Sequence, residues 1–405
     1  MSAGWRSSTL GEFVRLQRGH DLTASEQKPG DIPIMGSAGP NGTHGTALAN
    51  GPGVVVGRSG ASAGRVHFSE IDYWPHNTCL YVTDFLGNSP RFAYYLLQTL
   101  DLASFNSGSA QPSLNRNFLY AIPVKIPVRV EQDRIVLLLQ SLDDRITLLR
   151  ETNATLEGIA QALFKSWFVD FDPVRAKMQG RAPEGMDEAT AALFPDSLEE
   201  SELGLVPTGW RVSELGDHTC YLSRGISPKY IENGGIAVIN QKCIRDFSVD
   251  LSKARRHDTE QRKTDGRELC RGDILVNSTG VGTLGRVAQI LSLEQPAIVD
   301  SHVTVMRADA SITWNYLGLS IMMRQSEIED MGEGSTGQTE LSRSKLAKLK
   351  LLISPKVILQ VFDDAIVPLR EKFSTNQIQG QTLATLRDTL LPRLISGALR
   401  LDAVA

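Results

Sequence analysis

Gly280, Gly282 and Gly285 form a GxGxxG pattern, which in dinucleotide-binding proteins lies between a strand and a helix whose N-terminus holds the phosphates. A strand is predicted just before the pattern, at 273–276. The residues that follow it, 286–290, are typical of a second strand and not of a helix. We therefore predict that this segment is the loop of a β-hairpin and that it binds no nucleotide.

Other motifs that would support catalysis on nucleic acid are absent from the sequence. It contains no GxxxxGK[ST] phosphate loop for ATP, no Asn/Asp-Pro-Pro-aromatic motif of adenine methyltransferases, and no GxSxG or HExxH. The acids near Asp196 lack the lysine that would complete a metal-dependent nuclease motif. The cysteines form no CxxC pair, so neither a zinc site nor a disulfide framework is indicated. We predict no catalytic, metal or cofactor site in this chain.

Polar loops carry the residues best suited to contact DNA. Arginine can donate two hydrogen bonds to guanine, asparagine can pair with adenine, and serine or threonine suits phosphates or bases. Such side chains recur in two glycine-containing loops and after two Gly-Ser segments. The predicted DNA contacts are Arg58, Ser59, Arg65, Gln111, Asn115, Arg116, Asn277, Ser278, Thr279, Arg286, Gln338, Arg343 and Lys345. For any one of them, turn formation or an ordinary solvent-exposed role is the alternative explanation.

These loops belong to an internal repeat that organises the whole chain. An ordered series of echoes with a slowly drifting offset indicates two copies of one structural unit. The matching segments, each given with its second copy, are 4–6 and 209–211, 10–12 and 215–217, 18–19 and 224–225, 54–66 and 274–287, and 108–114 and 334–341.

Each copy begins with short β-branched runs separated by glycine and proline, which predict strands at 53–56 and 272–276. A helix is predicted late in each of these stretches, at 90–102 and 314–329. The domain that positions the polar loops is therefore expected to be mixed α+β.

A long amphipathic helix is predicted after the first domain. Its apolar residues alternate in spacing between four and three, which is the heptad pattern of a coiled coil. Asn153 occupies an inner position, where a polar side chain can determine the register of the pair or can be a solvated defect in its apolar contact. The predicted packing residues are Ile135, Leu139, Leu142, Ile146, Leu149, Asn153, Leu156, Leu163 and Trp167.

The partner helix is predicted at the equivalent positions of the second copy. Pro368 would kink this helix or mark a late start, and Gly380 would weaken its middle. We expect an intramolecular antiparallel coiled coil of ~60 Å. The packing residues of the second helix are predicted to be Phe362, Ile366, Leu369, Leu383, Leu390 and Leu394.

The charge distribution limits how the chain could bind DNA. The net charge is −4, and residues 126–203 alone carry 8 basic and 15 acidic side chains. The domains are near neutral, so DNA binding would depend on local patches. Residues 170–208 contain four prolines and an acidic run, which predict an extended, partly ordered connector. No apolar run would span a membrane and the N-terminus does not resemble a signal peptide, so we expect a cytoplasmic protein.

Residues 162–174, with the sequence ALFKSWFVDFDPV, resemble the end of the central conserved helix in specificity subunits of type I restriction–modification enzymes. Segments 142–146, 153–157 and 201–210 resemble that family too. The resemblance implies an α+β fold with two similar target-recognition domains joined by two long antiparallel coiled-coil helices. The implied parts are recognition domain 1–127, spacer helix 128–169, linker 170–208, recognition domain 209–354 and spacer helix 355–400.

The same resemblance implies partners and a division of labour. Each recognition domain would read one half of a split site in double-stranded DNA, and the helices would set the gap between the halves. Two methyltransferase subunits would dock on the chain, and two restriction and motor subunits would join for cleavage. The methyl donor S-adenosylmethionine, ATP and magnesium would be bound by those partners, and this chain would bind no cofactor and catalyse nothing.

Three other functions remain compatible with the sequence. The chain could be a stand-alone methyltransferase or nuclease, although the motifs for both are missing. It could be a coiled-coil scaffold without sequence recognition, whose DNA affinity would not depend on sequence. It could also be a recognition subunit of another methylation-based defence system, and the proteins that copurify with it would distinguish that case.

Overall fold

The computed structural model of the protein describes residues 4–105, 113–334 and 339–401. The chain divides into two compact units, of which the first holds the residues up to Leu149 and those from Gln379 onward. The second unit is Arg150–Ile378. Two long helices contribute to both units, so the division falls within the helices. Each unit contains one α+β domain and one part of each long helix.

The domain of the first unit consists of short strands with helices late in its sequence. Its strands are β1 (Trp5–Thr9), β2 (Arg15–Arg18), β3 (Ile32–Gly36), β4 (Gly39–His44), β5 (Gly53–Gly57), β6 (Val66–Ser69), β7 (Trp74–Pro75), β8 (Cys79–Asp84) and β9 (Pro123–Pro127). Its helices are α1 (Pro90–Gln98) and α2 (Arg116–Leu119), and the long helix α3 (Arg129–Phe168) follows.

An antiparallel sheet with the order β2-β8-β5-β6 forms the centre of this domain. β5 is buried along its whole length, which explains its run of three valines. α1 begins at Pro90, and the Ser89 hydroxyl caps it by accepting a hydrogen bond from the Phe92 amide. Phe92 and Leu96 from this helix share a core with Val54 and the other buried residues of the sheet. Each such side chain contributes ~1.5–3 kcal/mol through burial.

The second unit repeats this architecture with additional strands. Its helices are α4 (Asp172–Met178), α5 (Glu188–Ala192), α6 (Trp314–Met323), α7 (Gln325–Asp330), α8 (Arg343–Ala347) and the part of the long helix α9 (Lys356–Ile395) that precedes Gln379. Its strands are β10 (Leu198–Ser201), β11 (Gly204–Pro207), β12 (Arg211–Glu214), β13 (Thr219–Arg224), β14 (Tyr230–Ile231), β15 (Ile236–Ile239), β16 (Ile244–Arg245), β17 (Ser248–Val249), β18 (Arg255–His257), β19 (Ile274–Asn277), β20 (Val287–Gln289), β21 (Ala297–Val299), β22 (Val303–Ala308) and β23 (Lys350–Ile353).

The two domains share one topology. The sheet β13-β22-β19-β20 corresponds strand by strand to β2-β8-β5-β6. The pair β12–β23 corresponds to β1–β9, and the parallel pair β15–β21 corresponds to β3–β7. The α+β fold expected from the sequence is confirmed. The GxGxxG segment connects the antiparallel strands β19 and β20, so it is a hairpin loop as predicted.

Within each unit the long helices run antiparallel. In the first unit Ile135 and Leu139 of α3 share a core with Leu394 of α9. In the second unit Phe168 packs edge to face on Phe362, with ring centroids 4.9 Å apart. The packing residues named from the sequence are all buried or half-buried.

Two predictions are corrected by the structure: Pro368 does not mark a late start of the second helix, and the segment 170–208 is more ordered than predicted. α9 begins at Lys356, well before Pro368, so the proline does not delay the helix. Proline has no backbone N–H, so the helix lacks one hydrogen bond at this turn. The buried side chains of Phe362 and Ile366 hold the turn in place. The segment 170–208 is not an extended connector, because it contains α4, α5 and the β10–β11 hairpin. Apolar side chains hold it in place, among them the buried Phe171, Val174 and Phe194 of the second core.

Polar side chains interrupt the apolar contact between the helices in the second unit. The Asn153 amide donates to the Phe373 carbonyl oxygen at 3.1 Å and its oxygen accepts from Asn376 at 2.9 Å. Arg370, whose side chain is only 3% exposed, forms an ion pair with Glu157. Burial lowers the pKa of the Arg370 guanidinium and the Glu157 carboxylate opposes that shift. This contact between α3 and α9 is therefore specific in position and in charge.

Candidate nucleic-acid interface

The first domain has a cleft of about 720 Å³ near the end of β2, which we name the first cleft. Among the residues that the structure describes, three arginines and no acidic side chain line it. Its lining consists of Gln17, Arg18, Gly19, His20, Arg58, Leu80, Ser113, Leu114, Asn115 and Arg116.

Backbone contacts bring three distant segments together at this cleft. Arg18 ends β2 and pairs with Leu80 of β8. The Leu114 amide donates to the Arg58 carbonyl oxygen at 2.9 Å, beside a backbone bridge between Ser59 and Ser113. The sheet and the β5–β6 loop therefore determine where the arginines stand, although these residues are far apart in sequence.

The arginines of the first cleft retain most of their hydrogen-bonding capacity. Arg116 donates through Nη1 to the Leu16 carbonyl oxygen at 3.2 Å, and Arg58 donates through Nη1 to the Asn77 carbonyl oxygen at 3.4 Å. A guanidinium group carries five N–H donors. Within the described residues, most donors of these two side chains have no protein acceptor, which suits them to a phosphate or a base edge.

The second domain has a cleft of about 620 Å³ at the equivalent place, which we name the second cleft. Arg224 ends β13 as Arg18 ends β2, and Arg343 begins α8 as Arg116 begins α2. The residues lining this cleft are Ser223, Arg224, Gly225, Arg267, Glu333, Glu340, Ser342 and Arg343.

A glycine follows the strand-ending arginine in both clefts because the backbone of another segment lies against it. A Cβ atom on Gly19 would stand 2.1 Å from the His76 carbonyl oxygen. A Cβ on Gly225 would stand 2.0 Å from the Val299 carbonyl oxygen. No side chain fits at either position, so the Arg-Gly pairs of the repeat have a structural cause.

Acidic side chains distinguish the second cleft from the first. Arg224 forms an ion pair with Glu340 and also donates through Nη2 to the Leu341 carbonyl oxygen at 2.8 Å. Lys345 forms an ion pair with Glu333 at 2.5 Å. In the first cleft the nearest such contact joins Arg18 to Asp21 at 3.5 Å, and Asp21 does not line that cleft.

The structure brings together part of the predicted DNA contacts. Arg58, Asn115, Arg116 and Arg343 line the clefts, and Ser59 and Lys345 lie beside them. The Asn115 side chain also caps α2 by accepting from the Asn117 amide at 3.0 Å. Arg65 is exposed and does not line the first cleft. Gln111 and Gln338 lie outside the described residues.

Other predicted contacts have a structural role. Asn277 and Ser278 are fully buried. The Asn277 amide donates to carbonyl oxygens of Gln241 and Thr283 at 3.2 and 3.0 Å, and Ser278 bonds to the Thr304 hydroxyl at 2.5 Å. Because buried side chains cannot reach DNA, predicting these two as contacts was a mistake.

Two partly exposed members of the same loop make internal hydrogen bonds. Thr279 bonds to the His302 ring at 2.8 Å. Arg286 donates through Nη2 to the Gly282 carbonyl oxygen at 2.8 Å, which closes its own loop. Neither residue lines the second cleft.

Sequence reasoning missed Arg18, Arg224 and Arg267 as candidate contacts. The repeated Arg-Gly pair was a signal that could have found Arg18 and Arg224. The glycine is required because another backbone segment lies against it, so the arginine before it has the same position in both domains. Arg267 had no such signal, because it stands in an irregular segment where its Nη1 donates to the Arg224 carbonyl oxygen at 3.2 Å.

The described residues contain no group of three or more His, Cys, Asp or Glu side chains that could hold a metal ion. None of the helices in the described part of the chain combines the length and the apolar character that crossing a membrane requires.

Comparison with known proteins points to one family. Residues 2–158 match the family described as the type I restriction modification DNA specificity domain. The specificity subunit of the type I restriction enzyme HindI from Haemophilus influenzae is 27% identical over 364 residues, which cover 76% of this chain and 77% of that protein. The specificity subunit of MjaIX from Methanocaldococcus jannaschii is 27% identical over 332 residues, with 78% and 70% covered.

A solved structure has the same fold over nearly the whole length. The S subunit of the type I restriction–modification system from M. genitalium superposes with a TM-score of 0.63 at 14% identity. The match covers 98% of this chain and 97% of that one. The shared fold includes both domains and both long helices.

Proposed function

We propose that the two clefts of this chain bind DNA and that each domain reads one half of a split site. The proposal proceeds from the family to which the chain belongs, the type I restriction specificity subunits. These are the non-catalytic DNA-recognition subunits of type I restriction enzymes. The observation that carries this proposal is the equivalence of the clefts. Arg18 and Arg116 of the first domain have counterparts in Arg224 and Arg343 of the second.

The chemistry of the clefts suits a DNA duplex. Guanidinium groups bind phosphate oxygens and can bind guanine through two parallel hydrogen bonds in the major groove. The net charge of −4 provides no general attraction to DNA, so binding would depend on these local groups. We expect modest affinity from the chain alone and a strong dependence on salt.

The long helices are proposed to set the gap between the half-sites and to dock two methyltransferase subunits. Exposed apolar side chains on the first part of α3 support the docking proposal. Val130 is 64% exposed and Leu137 is 74% exposed, and they lie seven residues apart on one face of the helix. Two restriction and motor subunits would join the complex, and S-adenosylmethionine, ATP and magnesium would be bound by those partners.

Exchange of the second domain tests the split-site proposal. Residues 209–354 are replaced by the corresponding domain of another specificity subunit, and DNA methylation is mapped in cells that carry the partner methyltransferase. One half of the methylated site should change while the other half and the gap stay the same. A change in both halves, or in neither, would contradict the proposal.

A single substitution tests the first cleft, and the chain offers a matched control. Arg58 and Arg65 stand in the same loop, but only Arg58 lines the cleft. Arg58→Gln should weaken binding of the purified chain to duplex DNA by roughly tenfold and reduce the slope of log K against log salt by ~0.9. Arg65→Gln should change neither quantity. Equal effects of the two substitutions would show that only net charge matters and would remove the cleft from the proposal.

A further inference from the structure

Glu340 stands at the position that Ser113 occupies in the first domain. A backbone bridge joins Ser113 to Ser59, and the corresponding bridge joins Glu340 to Thr279. The next residues correspond as well, because the amides of Leu114 and Leu341 each donate to the equivalent carbonyl of the neighbouring loop. The two domains therefore place a hydroxyl and a carboxylate at the same point of the same scaffold.

The backbone holds the Glu340 carboxylate in the second cleft. Glu340 and Glu333 exchange two backbone hydrogen bonds of 2.8 and 2.9 Å, and the bridge to Thr279 fixes the other side of the strand-like segment. From there the carboxylate pairs with Arg224, whose side chain is 29% exposed, while that of Glu340 is 56% exposed. The pair is open to solvent and to any ligand of the cleft.

The two clefts consequently differ in charge. Three arginines line the first cleft, and among the described residues no acid accompanies them there. Three arginines and two glutamates line the second, and one of these glutamates is bound to Arg224. A phosphate that approaches Arg224 must displace a carboxylate, whereas a phosphate that approaches Arg58 meets no carboxylate among the described residues of the cleft. The sequence-independent part of DNA binding should therefore be weaker in the second cleft.

We propose that Glu340 is a specificity-determining residue that competes with DNA phosphate for Arg224. The second domain then holds DNA firmly only where base contacts supplement the phosphate contacts, while the first domain, which reads its own half-site, also binds duplex of other sequences through its phosphate contacts. An exposed ion pair of this kind is weak enough for the correct site to displace it. The inference rests on the proposed function of the clefts and assigns them unequal roles.

The test uses the full-length chain and a short random-sequence DNA duplex, titrated over a series of potassium chloride concentrations. Glu340→Gln removes the charge and keeps the shape. It should tighten binding to this duplex about threefold and steepen the slope of log K against log salt by ~0.9. The reciprocal Ser113→Glu should weaken binding and flatten the slope.

Glu327→Gln is the matched control. Glu327 also pairs with an arginine, Arg324, but on α7 and outside the second cleft. The same loss of one negative charge should leave the salt slope unchanged there. In cells, the Glu340→Gln chain should direct methylation to additional sequences that differ only in the half-site read by the second domain.

Two results would overturn the proposal. If Glu340→Gln leaves the affinity and the salt slope for the random duplex unchanged, Glu340 does not screen Arg224. If it abolishes methylation of the normal site without tightening random binding, Glu340 contacts a base itself. Arg58→Gln and Arg224→Gln test separately whether the two clefts bind DNA at all, which is the proposed function. When both arginine substitutions weaken binding, a negative result for Glu340 refutes only the screening role, and when neither does, the proposed clefts fail.

Discussion

In the first cleft Arg18 and Arg116 are joined by Arg58, while in the second cleft the position of Arg58 is taken by Ser278, which is buried. The strands and the close backbone approach at the glycine are the same in both. The difference lies in the residues that loops contribute, including the exchange of Ser113 for Glu340. The scaffold thus determines where a cleft forms, and the loops determine how strongly and how selectively it attracts DNA.

The long helices show a parallel difference between the units. In the second unit Glu157 pairs with Arg370, which is almost completely buried. In the first unit Asp143 pairs with Arg387 at 2.8 Å, and their side chains are 28% and 29% exposed. Desolvation makes a buried charge depend on its partner, whereas water can replace the partner of an exposed one. The same kind of contact should therefore matter far more in the second unit.

The largest effect on stability should come from the two ion pairs between α3 and α9, when one charge of each pair is removed in turn. Glu157→Gln leaves the Arg370 guanidinium buried without a counter-charge and should lower the free energy of unfolding by about 3 kcal/mol. Asp143→Asn keeps an acceptor for the Tyr95 hydroxyl, which lies 2.6 Å from the carboxylate, and should cost ~1 kcal/mol or less. Urea unfolding of the two variants measures both values. Equal losses would mean that burial does not distinguish the two pairs.

The next effect tests what the two clefts have in common. Gly19→Ala and Gly225→Ala each drive a methyl group into a carbonyl oxygen about 2 Å away. Each substitution should destabilise its domain by ~2–3 kcal/mol, since the backbone must shift. Gly87→Ala is a contrasting control, because Gly87 has a positive φ but no atom within 4 Å of the added carbon. If one of the two alanine substitutions caused no loss of stability, that cleft would lack the close backbone approach found in the other.

The long helices were predictable from the sequence because their heptad spacing is a local property, visible in Ile135, Leu139 and the residues that follow. The repeat and the α+β class were predictable for a similar reason, since the recurring segments are short and ordered. Local pattern also revealed that the GxGxxG segment is a hairpin loop. The local pattern gave the wrong prediction for the segment 170–208. Its prolines indicated a connector, whereas its apolar side chains pack into the hydrophobic core of the second unit.

The composition of the clefts was only partly predictable. Arg18 and Arg116 stand about a hundred residues apart and meet only through the folded sheet. The polar loop residues looked alike in the sequence, yet Asn277 is buried whereas Arg58 lines a cleft. Which side of a loop faces the core depends on long-range contacts that no local pattern encodes. The ion pair of Arg224 with Glu340 is of the same long-range kind.

A third prediction concerns the two solutions to one loop position. Asn277 locks its hairpin through two side-chain hydrogen bonds, while the first domain has Gly57 there, where a Cβ would stand 2.2 Å from the Ser62 carbonyl oxygen. Asn277→Ala should destabilise the second domain by ~1–3 kcal/mol, because the half-buried carbonyl groups of Gln241 and Thr283 lose the donor that Asn277 provides. At temperatures where the variant is folded, its affinity for DNA should match that of the parent chain. Unchanged stability with weakened binding would restore Asn277 as a DNA contact.

The smallest effect is a pH dependence confined to the second domain. Asp300 lies beneath the second cleft at the position of His76 in the first, and burial raises the pKa of its carboxyl above the ordinary value of 3.8. The folded state therefore binds this proton more tightly than the unfolded state does. Its contribution to stability is full below the unfolded pKa and is lost as the pH rises through the folded pKa.

Asp300→Asn removes that proton and keeps an oxygen able to accept the hydrogen bond from the His302 amide, which is 2.9 Å long in the parent. The substitution should raise the free energy of unfolding at neutral pH by less than ~1 kcal/mol, because no carboxylate has to be buried. Below the unfolded pKa the variant should gain nothing over the parent, since the parent carboxyl is already neutral there. Thermal unfolding of both chains over a pH series measures the difference. If the gain in the free energy of unfolding were the same at every pH, the buried charge of Asp300 would not be its cause. The pH dependence proposed for the second domain would then be wrong.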